Sequence, residues 1–379
     1  MSEYQYYEFV TVDKQLSRDE IDRLRSISTR ADISSTRFCN TYNYGDLKAE
    51  PEQMLLDYFD AFIYVTNFAF QRFIIKLPKE CFKANRLKPY FPGDGYQSSF
   101  KSKKEGWLLE FCYSNENGYD DDGWVEGEGW IDSLLSIRSE LIKGDYRSLY
   151  LAWLAEIESM DRAGNLPVNL EEPPVPIGLD NLTASQSALC KFLKLPAPIV
   201  EAAARGSADS DSPDLEQLVD QWLTTQSKDR NQQLLKALLL DETGITRTKQ
   251  VAAIVQNQQD SASDAQGKPR TVAELRTGGN TIEKEMREAE RQKEQKALEK
   301  YIQEVAAREP AYWSRLEELF EKRGSASVYE EIRKKIGILG LVAQVNNRLP
   351  DFEHRVCVLK EAFEKKKKHL HALEQGLKA

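Results

Sequence analysis

Histidine is almost missing from this chain of 379 residues. Its three histidines, His354, His369 and His371, all follow residue 353. The residues before them therefore cannot form a Ser-His-Asp or Cys-His catalytic group, or a zinc site with histidine ligands. His369 and His371 are two residues apart and face different sides of a helix, so they do not bind one metal ion together.

Cysteine spacing and the lack of long hydrophobic runs exclude further classes of protein. The five cysteines are scattered, with no CxxC pair of the kind that binds zinc or performs redox chemistry. We expect reduced thiols, as in a cytoplasmic protein. No apolar run approaches the roughly 20 residues of a transmembrane helix. Residues 1–7 lack the basic and apolar regions of a signal peptide, so we expect a cytoplasmic protein without membrane contact.

Charge is acidic overall but basic in one segment. There are 61 Asp and Glu against 52 Lys and Arg, a net charge of −9, which argues against a chain that coats nucleic acid over its whole surface. Residues 71–104 carry nine basic residues against two acidic ones, with aromatic residues among them. Cations that meet phosphates and rings that stack on bases are typical of single-stranded nucleic-acid binding. The predicted contacts are Arg72, Lys76, Lys101, Lys103 and Lys104.

An acidic segment follows directly, because residues 114–132 carry seven acidic residues and no basic one. A loop of this charge can cover a basic surface or mimic a phosphate backbone. Two alternatives therefore stay open for residues 71–104: an exposed surface that binds nucleic acid, or a sheet with a core of aromatic residues and solvated lysines.

The first part of the chain mixes strands and helices. Apolar and β-branched runs predict strands over residues 4–11 and 34–43 and hairpins over 61–77 and 96–113. Ser17 with Glu20 forms a capping-box pattern, and Pro51 is typical of a first helical position. Because no repeated βαβ rhythm occurs, the sequence predicts an α+β domain over residues 1–161.

The rest of the chain has helical periodicity. We predict a Pro-rich acidic linker over residues 162–181, a small helical domain over 182–255 and a mobile linker over 256–280, where Gly278 and Gly279 break the chain. A charged helical arm then covers 281–379. Its first helix has seven Glu and six Lys or Arg over residues 281–305, with a thin apolar seam. This pattern indicates an all-α region with a long charged helix, in a loose coiled coil or a small bundle.

Catalytic motifs are missing from the sequence. No GxxxxGK[ST], GxSxG or GxGxxG after a strand occurs, so we predict no catalytic, cofactor-binding or metal-binding residues and no cofactor. A carboxylate metal-dependent hydrolase remains the most remote alternative.

Several short segments are familiar when taken together. They are SEYQYYEF at residues 2–9, LRSISTRA at 24–31, YFDA at 58–61, GEGW at 127–130, PPVP at 173–176 and TVAELR at 271–276. Over nearly its whole length, the chain resembles a family of uncharacterised bacterial cytoplasmic proteins with an α+β front part, a Pro-rich acidic spacer and a charged helical tail. The resemblance implies a bacterial source and no site residues.

The sequence thus favours a non-enzymatic protein that binds other proteins or acts as an adaptor in an unknown pathway. We expect a protein partner to bind the C-terminal helical arm, and a nucleic-acid-associated factor is the alternative. The identity of the partner and the oligomeric state are left open by the sequence.

Overall fold

The computed structural model describes residues 4–93, 97–115, 126–167, 169–207, 215–241, 243–261 and 270–378. The chain divides into two compact units, Met1–Glu283 and Lys284–Ala379. The first unit contains an antiparallel sheet and helices, whereas the described residues of the second unit are helical. The predicted order, an α+β N-terminal domain followed by an all-α region, is confirmed.

The predicted strands and hairpins are present. The strands are β1 (Gln5–Val10), β2 (Asp32–Ile33), β3 (Arg37–Tyr42), β4 (Ala61–Thr66), β5 (Phe70–Leu77), β6 (Ser99–Lys103) and β7 (Gly106–Ser114). Within the described residues they form one antiparallel sheet in the order β2-β3-β1-β4-β5-β7-β6.

Both faces of the sheet are buried, which explains the nearly continuous apolar runs of its central strands. Successive residues of a strand face opposite sides. On one side, Phe73 stacks on Phe111 with ring centroids 5.8 Å apart. On the other side, Phe9 stacks on Phe62 at 4.4 Å. The sheet therefore separates two hydrophobic clusters.

Helices cover both clusters. Helices α1 (Arg18–Ile27) and α2 (Pro51–Tyr58) cover the Phe9 side, where they contribute Leu24, Met54 and Leu55. The remaining helices of the first unit are α3 (Ala84–Leu87), α4 (Trp130–Leu134), α5 (Ser136–Ile142), α6 (Arg147–Arg162), α7 (Ala184–Phe192), α8 (Ala197–Ala204), α9 (Leu215–Thr225), α10 (Lys228–Leu239), α11 (Ile245–Ser261) and the start of α12 (Val272–Ala307).

Local signals place the first two helices as predicted. The Ser17 hydroxyl accepts the backbone N–H of Glu20 at 3.3 Å, and the Glu20 carboxylate accepts the backbone N–H of Ser17 at 2.7 Å. This is a complete capping box. Pro51 begins α2, where its missing N–H leaves no hydrogen bond unmade.

The segment 162–181, which we expected to be a linker, is packed into the first unit. The Tyr90 hydroxyl donates to the carbonyl of Pro174 at 2.8 Å, and the Ser207 hydroxyl donates to that of Pro176 at 2.7 Å. Leu179 is buried in the cluster on the Phe73 side of the sheet.

Helix α12 begins at Val272, nine residues before the start that the sequence pattern indicated. Gly278 and Gly279 lie inside the helix and do not break it. An added Cβ at Gly279 would be 3.5 Å from the Cα of Ile199, so the glycines allow α8 and α12 to approach closely. Residues 262–269 of the predicted mobile linker lie outside the described residues.

The second unit is built around its own hydrophobic cluster. Its helices after α12 are α13 (Glu309–Glu321), α14 (Ala326–Val345), α15 (Leu349–Ala362) and α16 (Lys367–Lys378). Trp313, Phe320, Ile336 and Leu373 are among its buried residues.

Candidate functional site

The basic residues predicted from the sequence lie mostly on one side of the sheet. Arg72 and Lys76 belong to β5, and Lys101 and Lys103 belong to β6. The strand register places Lys76 and Lys101 on either side of Leu108 in β7. Lys104 is exposed in the turn between β6 and β7.

Acidic side chains pair with two of these cations. Arg72 pairs with Glu110 and, at 3.1 Å, with Glu52, which also pairs with Lys101. Burial tends to raise the pKa of Glu52, but the hydrogen bond from Lys101 and the charges of Lys101 and Arg72 lower it below its ordinary value. Glu52 is therefore ionised at neutral pH and balances part of the positive charge.

Lys76 is also engaged. Its ammonium group is 3.4 Å from Asp60 and donates to the carbonyl of Leu55 at 3.3 Å. Burial would raise the pKa of Asp60, but the charges of Lys76 and Arg138 and two backbone N–H groups lower it. Of the five residues predicted to contact nucleic acid, Lys103 and Lys104 have no ion-pair partner among the described residues.

The acidic segment 114–132 is described only at its two ends, because residues 116–125 lie outside the described residues. At its far end, Asp132 pairs with Arg37, which also pairs with Glu8. The pKa of Glu8 lies above its ordinary value. Burial raises it by more than the 2.9 Å hydrogen bond from Tyr6 and the charge of Arg37 lower it. The side chain of Glu8 is fully buried, so its carboxylate is out of reach of a dissolved substrate.

A depression of about 550 Å³ lies beside α2. Its lining combines apolar side chains with charged side chains of both signs, and we call it the α2 groove: Ile27, Met54, Leu56, Tyr58, Glu50, Glu52, Asp57 and Lys103. Asp57 accepts a 2.8 Å hydrogen bond from Gln53. Neither Glu50 nor Asp57 has an ion-pair partner among the described residues, so both carboxylates are available to a basic ligand.

Helix α10 and the residue that follows it carry four exposed leucines. Leu235, Leu238 and Leu239 are 57%, 36% and 77% exposed, and Leu240, which follows the helix, is 70% exposed. We call these four residues the leucine face. No residue of α10 is fully buried, and Asn231 and Leu234 are its half-buried residues. Since soluble proteins rarely leave contiguous apolar surface in water, such a patch indicates an interaction site.

The sequence predicted a helix here but not its exposure. The available signal was composition, because five of the seven residues 234–240 are leucine. The helix is also basic: Lys228, Arg230 and Lys236 outnumber Asp229. Lys228 and Lys236 have no ion-pair partner among the described residues.

The charged helix α12 is exposed on all sides over residues 284–301. Met286, Leu298 and Tyr301 are its large apolar side chains, each between 46% and 48% exposed. A helix that is polar all round gains stability from charge pairs three and four residues apart and not from a core.

Three observations on the described residues bear on chemistry. Burial raises the pKa of Cys81, Cys112 and Cys190 to about 12, so these thiols stay protonated at neutral pH and are poor nucleophiles. Within the described ranges, no three His, Cys, Asp or Glu side chains come together in a way that could hold a metal ion. No described helix is long and apolar enough to cross a membrane.

Comparison with known proteins gives no relative: no family model, no curated protein and no solved structure matches this chain.

Proposed function

We propose that this protein is a non-enzymatic adaptor that binds other proteins, and that the leucine face of α10 is one of its contact surfaces. The main support for this proposal is that the side chains of Leu235 and Leu239 are exposed to solvent. Removal of apolar surface from water contributes about 25 cal/mol per Å², so a partner that covers these side chains gains free energy from each of them.

The chemistry of α10 indicates what the partner must offer. Leucines at spacings of three and four residues form one apolar stripe, which suits an apolar groove on the partner. Lys228 and Lys236 accompany this stripe, so carboxylates at the rim of the groove would complement them.

The C-terminal arm is a second contact surface in this proposal. Its support is the exposure of Met286, Leu298 and Tyr301 within residues 284–301. In this part of α12 the apolar side chains are few, so contacts there depend on charged residues and weaken with salt.

Paired substitutions test the leucine face. The full chain, immobilised through a tag, is compared with the Leu235→Glu, Leu239→Glu double variant in capture from extracts of the source organism, with and without nuclease. A captured protein is then purified and its direct binding measured. Glutamate is a good helix former, so α10 is retained while its apolar stripe is lost. We expect binding to weaken at least about tenfold.

Leu223→Glu is the matched control, because Leu223 is an exposed leucine on another helix of the first unit, α9, at 41%, and belongs to neither proposed contact surface. Equal loss with both variants would contradict a specific role for α10. Partners that disappear with nuclease, together with binding lost in a Lys103→Glu, Lys104→Glu variant, would instead support the nucleic-acid alternative.

A further inference from the structure

The second unit contains a small basic groove between α14 and α16, with a volume of about 310 Å³. We call it the α16 groove. Its polar lining residues are Tyr329, Arg333, Lys367, Lys368, His371 and Gln375. We infer that this groove binds a small organic molecule that carries a phosphate group. The inference goes beyond the proposed function and does not depend on the leucine face of α10.

The charged side chains that line the α16 groove are all basic. Arg333, Lys367 and Lys368 are positively charged at neutral pH, and no Asp or Glu is among the described lining residues. Lys367 and Lys368 are exposed and have no ion-pair partner among the described residues, so both ammonium groups are available to an anion. The second unit is basic as a whole, with 21 Lys and Arg against 17 Asp and Glu over residues 284–379, although the chain is acidic.

Gln375 holds two of the basic side chains in place. Its amide oxygen accepts a 3.0 Å hydrogen bond from Nη1 of Arg333, and its amide nitrogen is 3.0 Å from Nε2 of His371. Arg333 also pairs with Glu330 at 2.5 Å, so its charge is partly balanced. The guanidinium and the imidazole are therefore positioned before a ligand binds, which lowers the entropic cost of binding.

The spacing along α16 suits one phosphate group. Lys368, His371 and Gln375 are three and four residues apart, so they lie on one face of the helix. Lys368 and His371 differ by about 4.5 Å of helical rise. A phosphate monoester has three terminal oxygens that accept hydrogen bonds. One such group can therefore contact both lysines and the imidazole.

The positions of the two lysines are unfavourable without an anion. Lys367 and Lys368 lie in the first turn of α16, which contains no acidic residue, and Lys365 and Lys366 precede them directly. The N-terminal end of a helix carries partial positive charge, so cations there are destabilising and anions are stabilising. A phosphate in the groove would remove this repulsion, and the relief adds to the free energy of binding.

The surroundings of the groove favour a compact anion over a nucleic acid. Glu330 and Glu374 are exposed and adjacent in sequence to lining residues, and exposed Glu364 precedes Lys367 by three residues. An extended phosphate backbone would meet these carboxylates, whereas a single phosphate would not. The volume is near the lower limit for small-molecule sites, and Tyr329 and Ala372 offer apolar surface to the organic part of a ligand.

Calorimetric titration of the full chain tests the inference, with phenyl phosphate and inorganic phosphate as probes at constant ionic strength. We expect one phenyl phosphate per chain, bound more tightly than inorganic phosphate because its ring contacts the apolar lining. In the Lys367→Gln, Lys368→Gln variant, binding should weaken about tenfold or more. Glutamine is a good helix former, so α16 is retained. The Lys367→Arg, Lys368→Arg variant keeps both charges and should bind like the wild type.

The control removes two charges of the same unit outside the groove. Lys365 and Lys378 are exposed and do not line the groove, so the Lys365→Gln, Lys378→Gln variant should bind like the wild type. Equal weakening in both glutamine variants, or no binding of phenyl phosphate by the wild type, would overturn the inference. It would also be overturned if phenyl phosphate bound no more tightly than inorganic phosphate, or if Lys367 and Lys368 were needed only to bind a single-stranded oligonucleotide.

Discussion

Arg270 binds the buried carboxylate of Glu172 at two points, with Nε 2.7 Å from Oε2 and Nη2 2.7 Å from Oε1. The Tyr150 hydroxyl donates to the same carboxylate. In addition, the backbone N–H of Glu172 donates to the carbonyl of Arg270 at 2.9 Å. These contacts therefore connect the Pro-rich segment to Arg270, two residues before α12, and to Tyr150 of helix α6.

Removal of the carboxylate should destabilise the first unit. In Glu172→Ala, Arg270 keeps its charge but loses the carboxylate that neutralises it, so we expect the free energy of unfolding to fall by about 3 kcal/mol. Urea titration followed by circular dichroism measures this change. Glu201→Ala breaks the exposed ion pair between Glu201 and Arg205 and should cost less than about 0.5 kcal/mol. Equal effects would show that burial of the first pair is unimportant.

Truncation after residue 283 should leave the first unit folded, whereas truncation after residue 270 should destabilise it. A fragment of residues 1–283 keeps Val272, Leu275 and Ile282, which are buried in the cluster on the Phe73 side of the sheet. We expect it to unfold cooperatively. A fragment of residues 1–270 lacks all three side chains and should resist proteolysis far less. Similar protease resistance of both fragments would contradict this role for the start of α12.

Gly376 allows α16 to pack closely against α14 in the second unit. An added Cβ at Gly376 of α16 would lie 2.5 Å from Cγ2 of Ile336 and 2.6 Å from the carbonyl oxygen of Arg333. We expect Gly376→Ala to lower the stability of the second unit by about 1–3 kcal/mol, measured by denaturant titration.

Gly337→Ala in α14 is the control for this prediction. Its added Cβ would have the carbonyl oxygen of Gly376 as nearest atom, at 3.4 Å. Because alanine is the better helix former, this variant should be much less destabilised. The reverse order of stabilities would contradict the packing of α14 against α16.

Buried His369 should make the second unit sensitive to acid. Burial and the charge of Lys366 lower the pKa of His369 below its ordinary value of 6.5. The unfolded chain therefore binds a proton first as the pH falls, and stability is lost between about pH 6.5 and the lower pKa of the folded state.

Denaturant titration at pH 8 and pH 5.5 measures this loss. His369→Phe keeps an aromatic ring beside Phe320 and Tyr329 and removes the titrating group, so it should have the smaller loss. His371→Phe, at an exposed position, should keep the wild-type dependence. An unchanged pH dependence in His369→Phe would contradict the prediction.

Short-range patterns predicted most of the secondary structure. The capping box of Ser17 and Glu20 involves residues three apart in sequence, and short runs of apolar and β-branched residues indicated the strands. One helix boundary is not visible in such patterns: α15 and α16 are separated by a turn over residues 363–366. Helical periodicity continues across this turn, so apolar spacing alone does not reveal it.

The sequence by itself determined the elements and the fold class, because helix caps, turns and short apolar runs depend on residues a few positions apart. Tertiary structure decided which charges are paired and which apolar faces are covered. Glu172 and Arg270 are 98 residues apart, and Glu52 and Lys101 are 49 apart. Such contacts form only when the whole unit packs. The exposure of Leu235 and Leu239 likewise depends on which helices reach α10, and this is why the candidate surface emerged only from the fold.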